Sequence, residues 1–293
     1  METRIRHGRG FIAALDQSGG STPKTLVRYG VPANAWSTQE EMFRLVHAMR
    51  CRILTAPVFT ADRILAAILF EKTMEGMAGG LPIPKLLHEK GIVPFLKIDQ
   101  GLEEERNGVQ CMRPINDLTA KLVRAKELGI FGTKARSVVK QANRAGIAEI
   151  VAQQVDLGKH VAACGLMPIL EPEYDIQATD RAEGETILRE EILAALNELP
   201  EDSLVILKLS IPVQPNAYQE LVHHSRVARV VALSGGYERK RACEELAKNE
   251  GMIASFSRAL LEDLRVDMSD EEFNSALREA IEEIYCASVR TAN

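Results

Sequence analysis

SLVILKLS, residues 203–210, sets a lysine inside a run of apolar and β-branched residues that otherwise reads as a fully buried strand. An ammonium taken out of water is costly unless it is paired, neutralised or put to use, so Lys208 needs a reason. At a strand end its stem can snorkel and return the charge to water. The alternative is an amine kept free to attack a carbonyl by desolvation and a nearby cation. The rest of the chain bears on which reading holds.

Short apolar runs ending on a polar residue recur on both sides of it. They are FIAALD (11–16), RILAAILFE (63–71), IVPFLKID (92–99), GIFGTKAR (129–136), LMPILEPE (166–173), RVVALSGG (229–236) and MIASFSR (252–258). Between most of them lie stretches of helical period, such as DLTAKLVRAKELG (117–129) and AEIVAQQVDLGKHVAAC (148–164). The competing run CRILTAPVF (51–59) is assigned to a helix. Met42, Leu45, Val46, Met49 and Ile53 carry helical spacing into it, and Pro57 stops it. Eight strand–helix units in 293 residues predict an α/β chain folded as a single closed (β/α)8 TIM barrel over residues 1–293. An open nucleotide-binding sheet would place GxGxxG or a P-loop after its first strand, and FIAALDQSGGS offers neither. The last segment, 269–289, is expected to be a helix opened by a capping box of Ser269 and Glu272.

Barrel active sites lie at the C-terminal ends of the strands. The last polar residues of the runs are Asp16, Lys97, Lys134 with Arg136, Glu171 with Glu173, Lys208, Ser234 and Arg258. The intervals 97 to 134, 134 to 171 and 171 to 208 are each 37 residues, so four successive strands bring Lys, Lys, Glu and Lys to one rim. Alternation along a strand points Lys134 and Arg136 the same way, and likewise Glu171 and Glu173. A neutral Lys208 amine can add to a ketone and lose water to form an iminium, with Lys134 as the nearby cation and Glu171 carrying a proton to the departing hydroxyl. LSGG (233–236) and SFSR (255–258) fit the place where barrels bind phosphate, with Ser234, the Gly235 backbone and Arg258 as donors. Each residue also has a plainer role: surface lysines, an ion-pair lattice filling the mouth, an Asx turn at Asp16.

Composition excludes several classes. A net charge of −5 with Lys and Arg interspersed among Asp and Glu argues against nucleic acid as partner. Five scattered cysteines without a CxxC pair point to reduced thiols in the cytoplasm. No apolar run is long enough for a membrane span, and the basic N-terminus lacks a signal-peptide apolar region. The six histidines fall in helices or loops rather than at strand ends, so neither a metal nor another cofactor is expected. No heptad or apolar patch settles the oligomeric state, which leaves a homo-oligomer open.

The motifs ALDQSGGS, ILFEKTM, FLKIDQG, GTKAR, LEPE, ILKLS, LSGG and SFSRAL, in this order across nearly the whole chain, resemble class I fructose-bisphosphate aldolase, specifically its shorter bacterial form. The resemblance implies a small phosphosugar substrate and Lys208 as the Schiff-base lysine. It implies Glu171 as acid and base, Glu173 as the neighbour setting charge, and Asp16 near the C4 hydroxyl. Lys134 would be the cation by the scissile bond and Arg136 its organiser. Ser234, Gly235 and Arg258 would hold one phosphate, and Lys97, Ser18 and Ser21 the other. The chain departs from the animal enzymes at Gln17, where they carry Glu, at Thr25, where they carry Arg, and at Ser257, where they carry Gly. Other readings are another lysine-imine sugar-phosphate aldolase or transaldolase, and a non-catalytic sugar-phosphate-binding scaffold.

Overall fold

The computed structural model describes residues 1–18 and 20–289, so Gly19 of the ALDQSGGS motif and the last four residues lie outside the described residues. Eight strands form the barrel: β1 Phe11–Leu15, β2 Ile64–Leu69, β3 Val93–Lys97, β4 Gly132–Val139, β5 Met167–Tyr174, β6 Val205–Ser210, β7 Val227–Leu233 and β8 Ile253–Phe256. Each pairs in parallel with the next, β3 pairs with β4, and β8 pairs back to β1, which closes the sheet. The expected (β/α)8 barrel is the observed one, and each of the eight strands falls on its predicted run. Strands buried on both faces read as continuous apolar runs because neither face meets water.

Alternation divides the core in two. Ile12, Ala14, Ile68, Phe95, Ile169, Ile206, Val231 and Ile253 fill the barrel interior. Phe11, Leu15, Leu69, Leu96, Leu170, Leu207 and Phe256 face outward against the helices. Apart from Arg229 near its base, the interior is therefore apolar up to the level of Lys134, the third residue of β4, and charged from there to the mouth. The helix Glu2–His7, unread in the sequence because six residues show no period, places Ile5 in the interior cluster. Arg229 donates to the carbonyls of Ile5 (3.0 Å) and Gly8 (2.7 Å), so this helix is fastened to β7.

The run at 51–59 is helical as expected. The helix Gln39–Thr55 opens with a capping box between Thr38 and Glu41 and ends before Pro57. The final helix Asp270–Val289 carries the predicted capping box: Ser269 N–H donates to Glu272 at 2.8 Å, and Glu272 N–H donates to Ser269 Oγ at 3.2 Å. β4 starts at Gly132, three residues later than the predicted run, because Gly129 at φ +83° terminates the preceding helix Leu118–Glu127.

Register sets the height of each rim residue. Lys97 lies level with Lys134, but Lys134 aligns with Ile169, and Glu171 aligns with Arg136. The equal spacing of 37 residues thus hides a two-residue stagger between β4 and β5, the local expression of barrel shear. Glu171 stands one inward-facing step above Lys134 along the axis.

Candidate active site

The mouth of the barrel encloses a cavity of about 840 Å³. All of the sequence-nominated residues line it: Asp16, Ser18, Ser21, Lys97, Lys134, Arg136, Glu171, Glu173, Lys208, Ser234, Gly235 and Arg258. None of the six histidines does. Among the described residues, no group of three or more His, Cys, Asp and Glu side chains is arranged to hold a metal ion.

Four charged side chains occupy its floor. Lys208 is 4% exposed, Lys134 3%, Glu171 3% and Asp16 7%, so the snorkelling reading of Lys208 is set aside. One oxygen of Glu171 lies 2.9 Å from Lys208 Nζ and the other 2.6 Å from Lys134 Nζ. Lys134 Nζ also reaches Asp16 at 2.7 Å. The alternating chain Lys208, Glu171, Lys134, Asp16 is charge-balanced, which is what permits four buried charges in one place. Glu171 stands between the two ammonium groups, so Lys134 acts toward Lys208 across a shared carboxylate.

Electrostatics follow from this chain. Burial pushes the Asp16 carboxyl up, but the ammonium groups of Lys134, Lys208 and Lys97 outweigh it and hold Asp16 well below the usual carboxylate range. Burial likewise raises Glu171, and Lys134 and Lys208 override it, leaving the group lowered. Burial would strip the proton from Lys134, yet Asp16, Glu171 and Asp99 keep it above the ordinary lysine range. In this state Glu171 is a base poised against the Lys208 amine, and Lys134 is a fixed cation.

Further contacts support this floor, two of them made by Asp99 and Gln154, which the sequence reading passed over. Arg136 pairs with Glu173 through its Nε. Asp99 accepts from Lys97 Nζ at 2.7 Å and from the Arg136 N–H at 3.2 Å, tying the β3 and β4 exits together. Its place two residues after Lys97 was the available signal, since i and i+2 share a face. Gln154, from the helix Arg144–Ala163, donates to Ala135 O at 3.1 Å and Ser137 Oγ at 2.9 Å and accepts from the Glu171 N–H at 3.3 Å. Nothing local marks it, because its partners are brought behind it only by packing.

Cations flank the floor on opposite sides. Gly236 lies against Arg258, where an added Cβ would stand 3.4 Å from Nη1, and the Tyr237 N–H closes a turn onto Ser234 O at 2.9 Å. Gly235 and Gly236 both have positive φ, +60° and +119°, which turns the backbone at the β7 exit. Across the mouth, Lys97 at the β3 exit and Lys121 from the helix Leu118–Glu127 line the wall, Lys121 pairing with Glu71 at 2.9 Å. The helix Ser21–Arg28 adds Ser21, Lys24, Thr25 and Arg28. These fall at i, i+3, i+4 and i+7, one helical face, a pattern that was legible at positions 24 and 28.

The departures noted at Gln17 and Ser257 meet in space. Gln17 Nε2 donates to Ser257 Oγ at 2.6 Å, linking the exits of β1 and β8.

Comparison with solved structures extends the likeness beyond the barrel count. A fructose-bisphosphate aldolase from Plasmodium falciparum, solved in complex with TRAP and a small-molecule inhibitor, superposes with a TM-score of 0.79 at 18% identity, over 98% of this chain and 92% of that one. A Corynebacterium glutamicum structural-genomics target superposes at 0.56 with 12% identity, over 98% and 91%. At such identities the superpositions speak for the fold alone. The family model described as fructose-bisphosphate aldolase class-I matches residues 2–233, ending one residue before the Ser234–Gly235 turn. On that match, which takes in the Lys208 strand and every residue of the charged floor, the chain belongs to the class-I fructose-bisphosphate aldolase family, lyases that act by aldol cleavage.

Proposed function

We propose that this protein, as a shorter bacterial form of its family, cleaves fructose 1,6-bisphosphate reversibly to dihydroxyacetone phosphate and glyceraldehyde 3-phosphate. The reaction runs through an imine on Lys208, requires no metal, and serves glycolysis or, in reverse, gluconeogenesis. The observation that carries this reading is the shared carboxylate: Glu171 holds Lys208 at 2.9 Å and Lys134 at 2.6 Å on the floor of a mouth with cations on both sides.

Proton transfer from Lys208 to Glu171 yields a neutral amine and a carboxylic acid in one step. The amine adds to the C2 ketone, forming the C–N bond as the C=O π pair moves to oxygen; Glu171 gives its proton to that oxygen and takes one back from the new ammonium nitrogen, leaving a neutral carbinolamine and a protonated Glu171. Glu171 then protonates the departing hydroxyl, which leaves as water, and the iminium remains. The C4 hydroxyl gives its proton to Asp16 as the C3–C4 bond breaks, and the bonding pair moves into the iminium to make a neutral enamine. Loss of the positive charge at Lys208 removes one of the cations that depress Asp16, so Asp16 gains basicity as it is needed. Lys134 stays protonated between Asp16 and Glu171 and offsets their charge. Arg258 with the Gly235 backbone receives one phosphate, and Lys97 with Ser18 and Ser21 the other.

Borohydride trapping tests the reading. Protein mixed with fructose 1,6-bisphosphate, and separately with fructose 1-phosphate, should form a stable adduct located on Lys208 by peptide mass spectrometry. Activity should survive a chelator. No adduct, together with activity abolished by chelator, would sink the proposal.

A further inference from the structure

Arg50 is a buried cation that this mechanism does not use. It comes from the helix Gln39–Thr55, is 1% exposed, and forms no ion pair among the described residues. A guanidinium so placed meets only neutral acceptors at contact range, with the Asp16 carboxylate favouring its charge from further off. Arg50 Nη1 donates to Thr73 Oγ1 at 2.8 Å; Nη2 donates to the Gln17 carbonyl and approaches Gln17 Oε1 at 3.4 Å. The guanidinium also lies over the Phe70 ring, 5.7 Å from its centroid. Its donors therefore bind the β1 exit at Gln17 to the β2 exit at Phe70 and Thr73.

The Gln17 side chain extends the connection. Arg50 has only donors, so it fixes the amide with its oxygen inward and its nitrogen toward Ser257. Gln17 Nε2 donates to Ser257 Oγ at 2.6 Å and approaches Ala14 O at 3.4 Å. Gln17 directly follows Asp16 in the chain, and Ser257 directly precedes Arg258. Each end of the hydrogen bond is thus one peptide from a group with a proposed task.

We propose that Arg50, Gln17 and Ser257 form a positioning relay that ties the Asp16 carboxylate to Arg258, so that a phosphate seated at Arg258 fixes Asp16 for removal of the hydroxyl proton. The inference rests on the proposed reaction. Its physical content is that displacement of Arg258 and its preceding residue is passed through a short hydrogen bond to the backbone of Asp16. The three act as positioning residues: Gln17 and Ser257 lie in the cavity wall and Arg50 behind it. Thr73 and Phe70 act as the anchor that keeps Arg50 from following the motion.

Steady-state kinetics with fructose 1,6-bisphosphate on the full chain test it. Ser257→Ala cuts the bond without touching Arg50. Gln17→Met keeps the volume and removes both polar functions. Each should lower kcat about tenfold while KM stays within about twofold. The double variant should lose no more than Gln17→Met alone, since both changes sever one connection. Ser257→Thr, which keeps the hydroxyl, and Gln17→Glu, which still accepts from both Arg50 and Ser257, should restore kcat. A rise in KM with kcat intact would make Ser257 a phosphate-binding residue and overturn the relay. Unchanged kinetics, or losses that multiply in the double variant, would also overturn it. If Gln17→Met fails to fold, the Ser257→Ala and Ser257→Thr pair decides. Wild-type protein that gives no borohydride adduct would instead show the reaction itself to be misread.

Discussion

At Lys208 the proposed chemistry turns on one proton shared with Glu171 across 2.9 Å. Lys208→Met removes the nucleophile, so the expected outcome is loss of both the borohydride adduct and activity, with substrate binding retained by equilibrium dialysis. Glu171→Gln keeps the shape and removes the base. It should lower kcat about 100- to 10,000-fold and slow adduct formation in a rapid-quench experiment. Acid stability follows from the same residues. Asp16 and Glu171 have folded pKa values below their unfolded ones. Their contribution to stability is complete above the unfolded value of about 4 and is lost as pH falls from there through the folded values. Lys134 has the opposite sign: raised by its carboxylate partners, it contributes fully below about 10.4 and loses its contribution only as pH rises through its folded value. Thermal melts should therefore fall steeply below about pH 4. Asp16→Asn should be less stable at neutral pH, where Lys134 loses a partner, yet show the shallower fall. An equally steep acid limb in the variant would contradict the assignment.

At the scale of elements, β4 and β5 carry the most function in the least space. The Gly132 backbone is so close to β5 that an added Cβ would stand 2.1 Å from Met167 O. Gly132→Ala should force the strands apart, cost about 2 kcal/mol in urea unfolding, and reduce activity, because Lys134 and Glu171 ride on these strands. The final helix gives a contrasting case. Ser269→Ala removes half of a capping box and should cost about 1 kcal/mol, lowering Tm by about 2 °C without altering kcat. The existence of these elements was legible. A fully apolar run such as ILAAIL could only be a buried strand once the 51–59 run was claimed by helical spacing and stopped at Pro57. Their edges were less legible. The start of β4 depended on a helix-terminating Gly129, and the N-terminal helix at Glu2–His7 was too short to show a period.

The whole molecule has a net charge of −5, while the cavity it presents is lined by Lys24, Arg28, Lys97, Lys121, Arg136 and Arg258 in addition to the floor lysines. A low-dielectric mouth concentrates that local potential against the overall sign. Salt screens the rim more than the buried floor, so KM for a bisphosphate should rise with ionic strength while kcat changes little. Arg258→Ala removes both the phosphate contact and the input to Asp16, so it should lower kcat about tenfold and raise KM by a larger factor still. A fall in kcat larger than the rise in KM in either experiment would place the rim cations in the chemical step instead.

Strand identity and the residue type at each strand exit are local properties. A strand buried on both faces announces itself by composition, and its last polar residues are read by position, so the barrel and nine of its mouth residues were visible in the chain, whereas Ser18 and Ser21 came only with the family resemblance. Partners were not. Lys134 meets Asp16 only because β8 closes onto β1, and it reaches up to Glu171 because shear offsets β5 by two residues where the even spacing of 37 implied a level ring. Arg50 arrives from a helix and Gln154 from another, each placed by packing of its helix back across the two strands that the helix connects. Ion pairs and hydrogen bonds depend on distances of about 3 Å, and closure of the sheet, not local sequence, fixes distances at that scale.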